Sequence, residues 1–322
     1  MPAGAWDRRG SGMYEDRVIA AVVPAHNEAA HIRDVIEGMP STVDHIVIVD
    51  DKSSDDTADL AESSGDPRVQ VVRHETNTGV GGAIVSGHKL ALELGADVDV
   101  IFAGDDQMDP VYLPNLLDPI VHEGYGFTKA NRFYSSSSYR GMPKYRVFGN
   151  VVLSFANKFS SGYWNLFDPQ NGYTATTAEV LRRIDLDRVS QGYEFENDFL
   201  LNLNILNVRA KDIPVPAKYG DEVSGISLRR VIPALLRMLL RGFFRRIMLK
   251  YVVRSFSPIA LFLFSGLFLW VWALLFGAWT VWETIGPGVA STGTVLLSVV
   301  PFLMGFQLIL TALTLDIQAS PD

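Results

Sequence analysis

No cysteine occurs among the 322 residues, so structural disulfides and thiolate-bound metals are excluded. Histidine is scarce too. The six present show no zinc-ligand spacing, and only His26 falls in a loop expected to carry chemistry. The chain has neither the Lys-Ser/Thr ending of a P-loop nor the GxGxxG spacing of a dinucleotide-binding turn. Net charge is −8, which argues against general affinity for nucleic acid. Two absences are local and more informative. Residues 226–254 carry eight Arg or Lys and no acid, while residues 259–282 and 284–315 carry no charge at all. Roughly 20 apolar residues cross a bilayer as a helix, so both runs qualify as spans. The competing reading is a buried hairpin of a soluble protein. Trp270, Trp272, Trp279 and Trp282, set among Phe and Leu without polar partners, oppose it. The opening stretch MPAGAWDRRGSGMYEDR lacks the apolar core of a signal peptide, and residues 1–16 are expected to be a loose tail.

What is present alternates. Apolar runs at 17–23, 45–49, 69–73 and 98–102 read as strands, and helical patterns fall at about 29–38, after a Ser54 or Asp55 cap, and near 83–94. This alternation predicts a mostly parallel sheet with helices on both faces. Right-handed crossovers then bring the ends of strands one, two and four to one edge. The loops PAHNE (24–28), DDKSSDDT (50–57) and FAGDDQMDP (102–110) would share one crevice, where open α/β sheets bind ligands.

Each loop has a chemical and a structural reading. Asp105, Asp106 and Gln107 put hard oxygen ligands on a short loop, suiting Mg²⁺ or Mn²⁺ bridged to phosphates. Asp109 ahead of Pro110 is expected to cap a helix, which leaves the two adjacent carboxylates unexplained by capping. Asp50 and Asp51 could contact a ligand or start a turn. Glu28 could do the former or complement a helix dipole. NTGVGG (77–82) reads as a tight turn that lets backbone approach a ligand.

Together VPAHNE (23–28), IVDDKSSDDT (48–57) and AGDDQMDP (103–110) resemble glycosyltransferase family 2, the inverting enzymes of the GT-A fold. The resemblance covers roughly residues 18–215 and is similar to dolichyl-phosphate mannose synthases and bacterial polyprenyl-phosphate glycosyltransferases. It implies a Rossmann-like α/β catalytic domain over 17–220. A nucleotide-sugar donor would be held by Pro24, Ala25, His26, Glu28, Val49, Asp50, Asp51, Asn77, Gly79, Gly104 and Asp105. Mg²⁺ or Mn²⁺ would sit on Asp105 and Gln107, with the donor's diphosphate completing the shell. Two departures stand out: Ala103 occupies the first Asp of the family's DxD, and His26 the usual Tyr.

The resemblance extends to the acceptor side. TKANRF (128–133), MPKYRVFGNVVLSFANKF (142–159) and FDPQNGYTA (167–175) are similar to family segments there. They point to Arg132, Arg146 and Asn157 for phosphate or acceptor binding, and to Asp168 with Asp105 as catalytic residues. A guanidinium's fixed fork suits phosphate, although both arginines could be ordinary surface residues. In GYEFENDFL (192–200), Glu194 and Asp198 share a helical face, and one acid among Glu194, Glu196 and Asp198 is expected to line the acceptor cleft. Asp168 would act as a base toward a hydroxyl acceptor and as a positioning group toward a phosphate.

The activity implied is transfer of a single sugar from a nucleotide donor to a polyprenyl or dolichyl phosphate, since the Q-x-x-R-W motif of processive family members is absent. Transfer to a glycan or lipid hydroxyl, and a non-catalytic nucleotide-sugar-binding subunit, are the alternatives; Ala103 sustains the latter. Arg230, Arg237, Arg241 and Arg245 fall on one helical face, opposite Ile232, Leu235, Leu239 and Phe243, with Pro233 near the start. Interfacial helices over 221–257 are therefore expected to set their cations on lipid headgroups. Transmembrane helices follow at 258–283 and 289–315, giving a two-span protein of the cell membrane. The positive-inside rule puts its catalytic domain in the cytoplasm. A homo-oligomer is left open.

Overall fold

In this computed structural model the described residues are 14–134, 144–168, 171–192, 194–216, 237, 239–285 and 290–321. The first strand, β1 (Ile19–Ala25), sits inside the sheet. Ile19, Ala21 and Val23 enter one core while Ala20 and Val22 enter another, so the strand is buried on both faces and carries no polar residue. Helix α1 (Ile32–Gly38) leads to β2 (His45–Asp50), and α2 (Thr57–Glu62) to β3 (Val69–Arg73). Helix α3 (Val80–Glu93) crosses back to β4 (Val98–Ile101) on the other side of β1. It starts three residues before the position expected from sequence, because Gly81 and Gly82 interrupt the apolar pattern there without breaking the helix.

After β4, the turn Pro110–Tyr112 opens α4 (Leu113–Glu123). Asp109 accepts the Val111 N–H at 2.9 Å, the cap expected of it. Then come β5 (Phe127–Asn131), α5 (Lys144–Ser161), β6 (Thr174–Thr177), α6 (Ala178–Arg183), α7 (Phe195–Ile205) and β7 (Ala210–Pro214). The seven strands lie in the order β3-β2-β1-β4-β6-β5-β7. Strand β6 runs antiparallel between β4 and β5 and every other pairing is parallel, so the sheet is mixed but mostly parallel. One face packs on α1 and α4, the other on α3, α6 and α7.

Two long helices close the chain: α8 (Pro258–Ile285) and α9 (Thr292–Gln318), of 28 and 27 residues. With mean hydropathies of 2.4 and 2.1, both are long and apolar enough to cross a membrane. They cross closely at Gly266 and Gly305, where a methyl on either residue would stand 2.8 Å from the other's carbonyl oxygen. Trp270 stacks on Phe302 beside this crossing, 5.6 Å between ring centroids. Helix α9 outruns the expected limit of 315 and so includes Asp316.

The basic segment departs from its expected arrangement. It is helical through residues 239–246 and continues as a π-helix, Ile247–Val253. Leu239, Phe243, Ile247 and Tyr251 are buried, as the apolar side should be. From 245 onward, however, the cations turn inward: Arg245, Arg246, Lys250 and Arg254 all bond to protein oxygens. Acids and helix-end carbonyls of the domain offer them partners. The outward side bears Leu240, Phe244 and Met248. Arg230, Ile232, Pro233 and Leu235 lie outside the described residues.

Candidate active site

The ends of β1, β2 and β4 meet as the topology requires. Asp51 N–H donates to the Ala25 carbonyl at 2.9 Å, and His26 Nδ1 lies 3.0 Å from the Asp51 carbonyl oxygen, with Asn77 Nδ2 donating to the same oxygen at 3.3 Å. Asn27 receives the Ser54 N–H at 2.8 Å and gives its own N–H to Ser53 Oγ at 2.9 Å; Glu28 N–H goes to Thr57 Oγ1. Gly104 fits against this wall so closely that a methyl there would meet the Pro24 carbonyl at 3.1 Å and Glu28 Cγ at 3.2 Å. PAHNE, the DD loop and FAGDDQMDP therefore line one crevice. Each holds a non-glycine residue in the left-handed region, Asn27 (φ 60°), Lys52 (φ 61°) and Asp106 (φ 57°), a strained geometry that accumulates at functional loops.

Several expected donor contacts take a different form. The Asp51 carboxylate is buried and accepts from Thr78 N–H (2.8 Å), Thr78 Oγ1 (2.9 Å), Gly79 N–H (2.7 Å) and the His74 ring (2.8 Å). It holds the turn before α3 rather than facing a ligand; burial alone would raise its carboxyl, but these donors keep it below the usual range. Asp50 follows the turn reading, since both its oxygens lie near the Ser53 N–H, at 3.3 and 3.4 Å. Ala25 and Val49 point into the core, so only their backbone borders the crevice. His26, Glu28, Asn77 and the backbone of Pro24, Gly79 and Gly104 remain at its wall.

On the FAGDDQMDP loop, Asp105 Oδ1 accepts the Gln107 N–H at 3.0 Å. Among the described residues no three His, Asp or Glu gather as a metal cage. One carboxylate and one amide oxygen on an open loop do fit a hard cation that takes its other ligands from phosphate and water. Ala103, whose N–H points to Met108 Sδ at 3.1 Å, adds no side-chain ligand.

The half of the sheet expected to receive the acceptor is built on buried charge. Asp168, in left-handed geometry at φ 44°, is 2% exposed and is gripped by Arg132 through Nε (2.8 Å) and Nη2 (3.0 Å). Burial would raise its carboxyl, yet the hydrogen bonds and charge of Arg132, with Lys129 nearby, hold it below the usual range. Arg132, expected to grip phosphate, thus gives two donors to Asp168. Asn157, expected at the acceptor, is buried and donates to Asn197, tying α5 to α7 instead. Arg146 lies in α5, but its side chain is outside the described set.

A family model described as glycosyl transferase family 2 matches residues 20–186. The chain belongs to this family. It is a nucleotide-sugar-dependent glycosyltransferase. Among its relatives is a protein from Methanococcus voltae named UDP-N-acetylglucosamine–dolichyl-phosphate N-acetylglucosaminyltransferase, 28% identical over 64% of this chain and 88% of the relative. An undecaprenyl-phosphate mannosyltransferase from Micrococcus luteus is 30% identical over 61% and 82%. Glucosyl-3-phosphoglycerate synthase from Mycobacterium tuberculosis, solved with Mn²⁺, UDP and phosphoglyceric acid, superposes with a TM-score of 0.55 at 22% identity, over 72% of this chain and 79% of that one. That likeness establishes the GT-A-like architecture.

Two residues in this half of the transferase, Lys129 and Asp212, escaped sequence reasoning. Lys129 is almost fully buried on β5; its ammonium donates to the Phe167 carbonyl at 2.6 Å and to that of Asp168, and stands 3.6 Å from Asp212. Asp212 on β7 in turn accepts from Asn131 at 2.9 Å, and its burial pushes its carboxyl up against the pull of Lys129. The one available signal was charge inside strand-like stretches, Lys129 in TKAN and Asp212 in AKDIP. Of the three acids in GYEFENDFL, Glu194 and Asp198 both bond Ser190. Glu196 is the one that lines a cavity of about 20 Å³, with Lys129 and Asn171, and burial raises its carboxyl.

Proposed function

We propose that this transferase moves a single sugar from a nucleoside-diphosphate donor, of the GDP-mannose or UDP-glucose type, to the phosphate of a polyprenyl or dolichyl lipid. The state of Asp168 carries the reading. A hydroxyl acceptor needs a general base, worth roughly 10²–10⁴-fold in rate. A carboxylate bound at two points by Arg132 and held below its usual range is a weak base, so Asp168 is suited to positioning. A lipid phosphate is already anionic and attacks without one. The relatives whose names specify dolichyl- or undecaprenyl-phosphate support the same acceptor.

In this reading the nucleotide lies along His26, Glu28 and Asn77, against the backbone of Pro24, Asp51, Gly79 and Gly104. Asp105 and Gln107 would hold Mg²⁺ or Mn²⁺, which when bound supplies Lewis-acid stabilisation of the departing diphosphate. Asp168 aims Arg132, and with Arg146 this guanidinium presents cationic charge to the acceptor phosphate. A catalytic unit of residues 17–220 stands on a basic connecting segment, 221–257, followed by two spans. The excess of Arg and Lys ahead of the first span supports a cytoplasmic catalytic domain.

The test uses membranes containing the protein and a panel of labelled sugar nucleotides. The expected product extracts into organic solvent and releases its sugar in mild acid, because a glycosyl phosphate hydrolyses more readily than a glycoside. Label in an acid-stable lipid or a water-soluble polymer would replace this reading with transfer to a hydroxyl.

A further inference from the structure

Arg246 is the most deeply buried cation among the described residues, with no exposed surface, although it belongs to the segment expected to meet headgroups. Its guanidinium joins three parts of the chain. Nη1 and Nη2 bond Asp316 of α9 at 2.5 and 2.8 Å, an end-on two-point pair. Nε donates to the Ser160 carbonyl at 3.0 Å and Nη2 to that of Phe159 at 3.1 Å, in the last turn of α5. Carbonyls there lack intrahelical partners, so the arginine caps α5. Tyr251 adds a hydrogen bond to Asp316 at 2.6 Å, and Phe243 stacks on Phe159 at 4.7 Å.

The neighbouring cations extend the contact along α7. Arg245 reaches Asp198 at 2.6 Å, Lys250 reaches Asn204 Oδ1 at 2.8 Å, and Arg254 the Ile205 carbonyl at 3.1 Å. Helix α7 is the element whose first turn carries Glu196 to the cavity it lines with Lys129 and Asn171. A mechanical line therefore runs from the end of α9 through Arg246 and its neighbours to α5 and to α7, whose first turn holds Glu196 beside Lys129.

We propose that Arg246 and Asp316 are positioning residues that lock the apolar hairpin to α5 and α7, and so set the height of the crevice over the lipid surface for a membrane-borne acceptor. This rests on the lipid-phosphate reading for its consequence in transfer, but not for the lock itself. A buried ion pair replaced by apolar residues of similar volume often leaves stability unchanged or raised, while removing one partner strands a charge. Arg246→Met/Asp316→Leu is thus the informative variant: it stays folded and loses the directional bonds.

Two measurements separate the lock from the acceptor reading. Because the parent chain has no cysteine, Trp164→Cys/Ser320→Cys makes a unique pair at a place where Trp164 N lies 3.4 Å from Ser320 Oγ. In membranes this pair should cross-link in the Arg246/Asp316 background and cross-link several-fold less when Met and Leu replace them. Equal cross-linking in both, or none in the parent, overturns the lock. In the second measurement the Met/Leu variant should raise KM for a bilayer-embedded polyprenyl phosphate about tenfold, leaving KM for the sugar nucleotide unchanged. It should also keep parental transfer to a short-chain, detergent-soluble prenyl phosphate. An equal loss on all three substrates would mean general damage rather than positioning, and no change on any would remove the role. Cross-linking as expected in a protein that glycosylates no lipid phosphate would overturn the acceptor reading alone.

Discussion

The two halves of the sheet hold their sites by different means. In the donor half, bounded by β1, β2 and β4, loops are pinned by backbone amides and short hydroxyl or amide side chains: Asn27 to Ser53 and Ser54, Glu28 to Thr57, Asp51 to Thr78 and Gly79. In the acceptor half, bounded by β5, β6 and β7, the fixed points are ion pairs with a buried member, Arg132 on Asp168 and Lys129 near Asp212, and Arg246 on Asp316 repeats the device where the hairpin meets the domain. Amide-pinned loops present a backbone surface that can follow a flat nucleotide. Paired charges suit a region that must keep cations aimed while excluding water, at the risk that losing one partner strands the other. The halves should therefore fail differently when cut.

The largest effect is expected at the boundary between them. Asp105→Ala removes the only carboxylate proposed to hold the metal, and transfer should fall by ~10²-fold or more, the scale of losing one stabiliser of transition-state charge. Thermal stability should barely change, since its one assigned hydrogen bond is local, to Gln107. Turnover that survives both this substitution and EDTA would remove the metal from the site.

Asp168→Asn should cut deeper into structure than into donor binding. It leaves Arg132 without its two-point partner, at an expected cost of about 2 kcal/mol, less than for a fully buried pair because Arg132 is part exposed. Its folded carboxyl titrates below the unfolded one, so its contribution is present at neutral pH and is lost as pH falls below about 4 through the folded value. Melting curves from pH 7 to pH 3 should show the parent losing stability relative to Asp168→Asn over that acid range. A constant difference would mean that the pair contributes nothing through charge. Arg132→Lys, which keeps charge but loses the fork, should reduce transfer about tenfold with donor KM unchanged.

These contrasts also explain what could be read in advance. The donor half was legible because its residues are local. Each motif sits at one strand end, and the order of strands brings the motifs together whatever their contacts. Reading residues as contacts was less successful. Asp51 belongs to the crevice by position, yet its carboxylate is spent on the turn before α3. Ala25 and Val49 belong to it only through backbone. The acceptor half and its junction with the hairpin were legible as helices and strands but not as sites, because their pairs join distant positions: Arg132 and Asp168 are 36 residues apart, Arg246 and Asp316 are 70. Periodicity placed Arg230, Arg237, Arg241 and Arg245 on one face; it could not show that acids and carbonyls of the domain would engage Arg245 and the cations that follow it, while Arg237 and Arg241 stay exposed.

A gentler test of the donor half is Gly79→Ala. Gly79 has φ +83°, and a methyl there would stand 2.9 Å from the Gln191 carbonyl. Both strain and contact fall on the turn that Asp51 organises, so a loss of about 1–2 kcal/mol is expected, with donor KM rising a few-fold and acceptor KM unchanged. A shift confined to acceptor KM would contradict the division into halves.

The smallest effect on transfer is expected at Lys250, whose charge sits in the contact between the basic segment and α7. Burial, with Arg246 adding repulsion and Asp316 opposing it, brings its ammonium down to about 8 from an ordinary 10.5. A lysine that releases its proton more easily when folded makes folding less favourable wherever it is charged. Below pH 8 the folded state bears that full cost, and between pH 8 and 10.5 the cost disappears because only the unfolded chain still gains from protonation. Stability from this residue should therefore rise with pH across that window, opposite in sense to the acid loss at Asp168. Lys250→Met cannot titrate there, so the difference in unfolding midpoint between parent and variant in detergent isolates the term from other alkaline groups. That difference should move in favour of the parent as pH goes from 8 to 10.5. The hydrogen bond to Asn204 persists throughout, because a neutral amine still donates. A difference independent of pH would mean that water reaches this ammonium, and that the basic segment stands off α7 rather than gripping it.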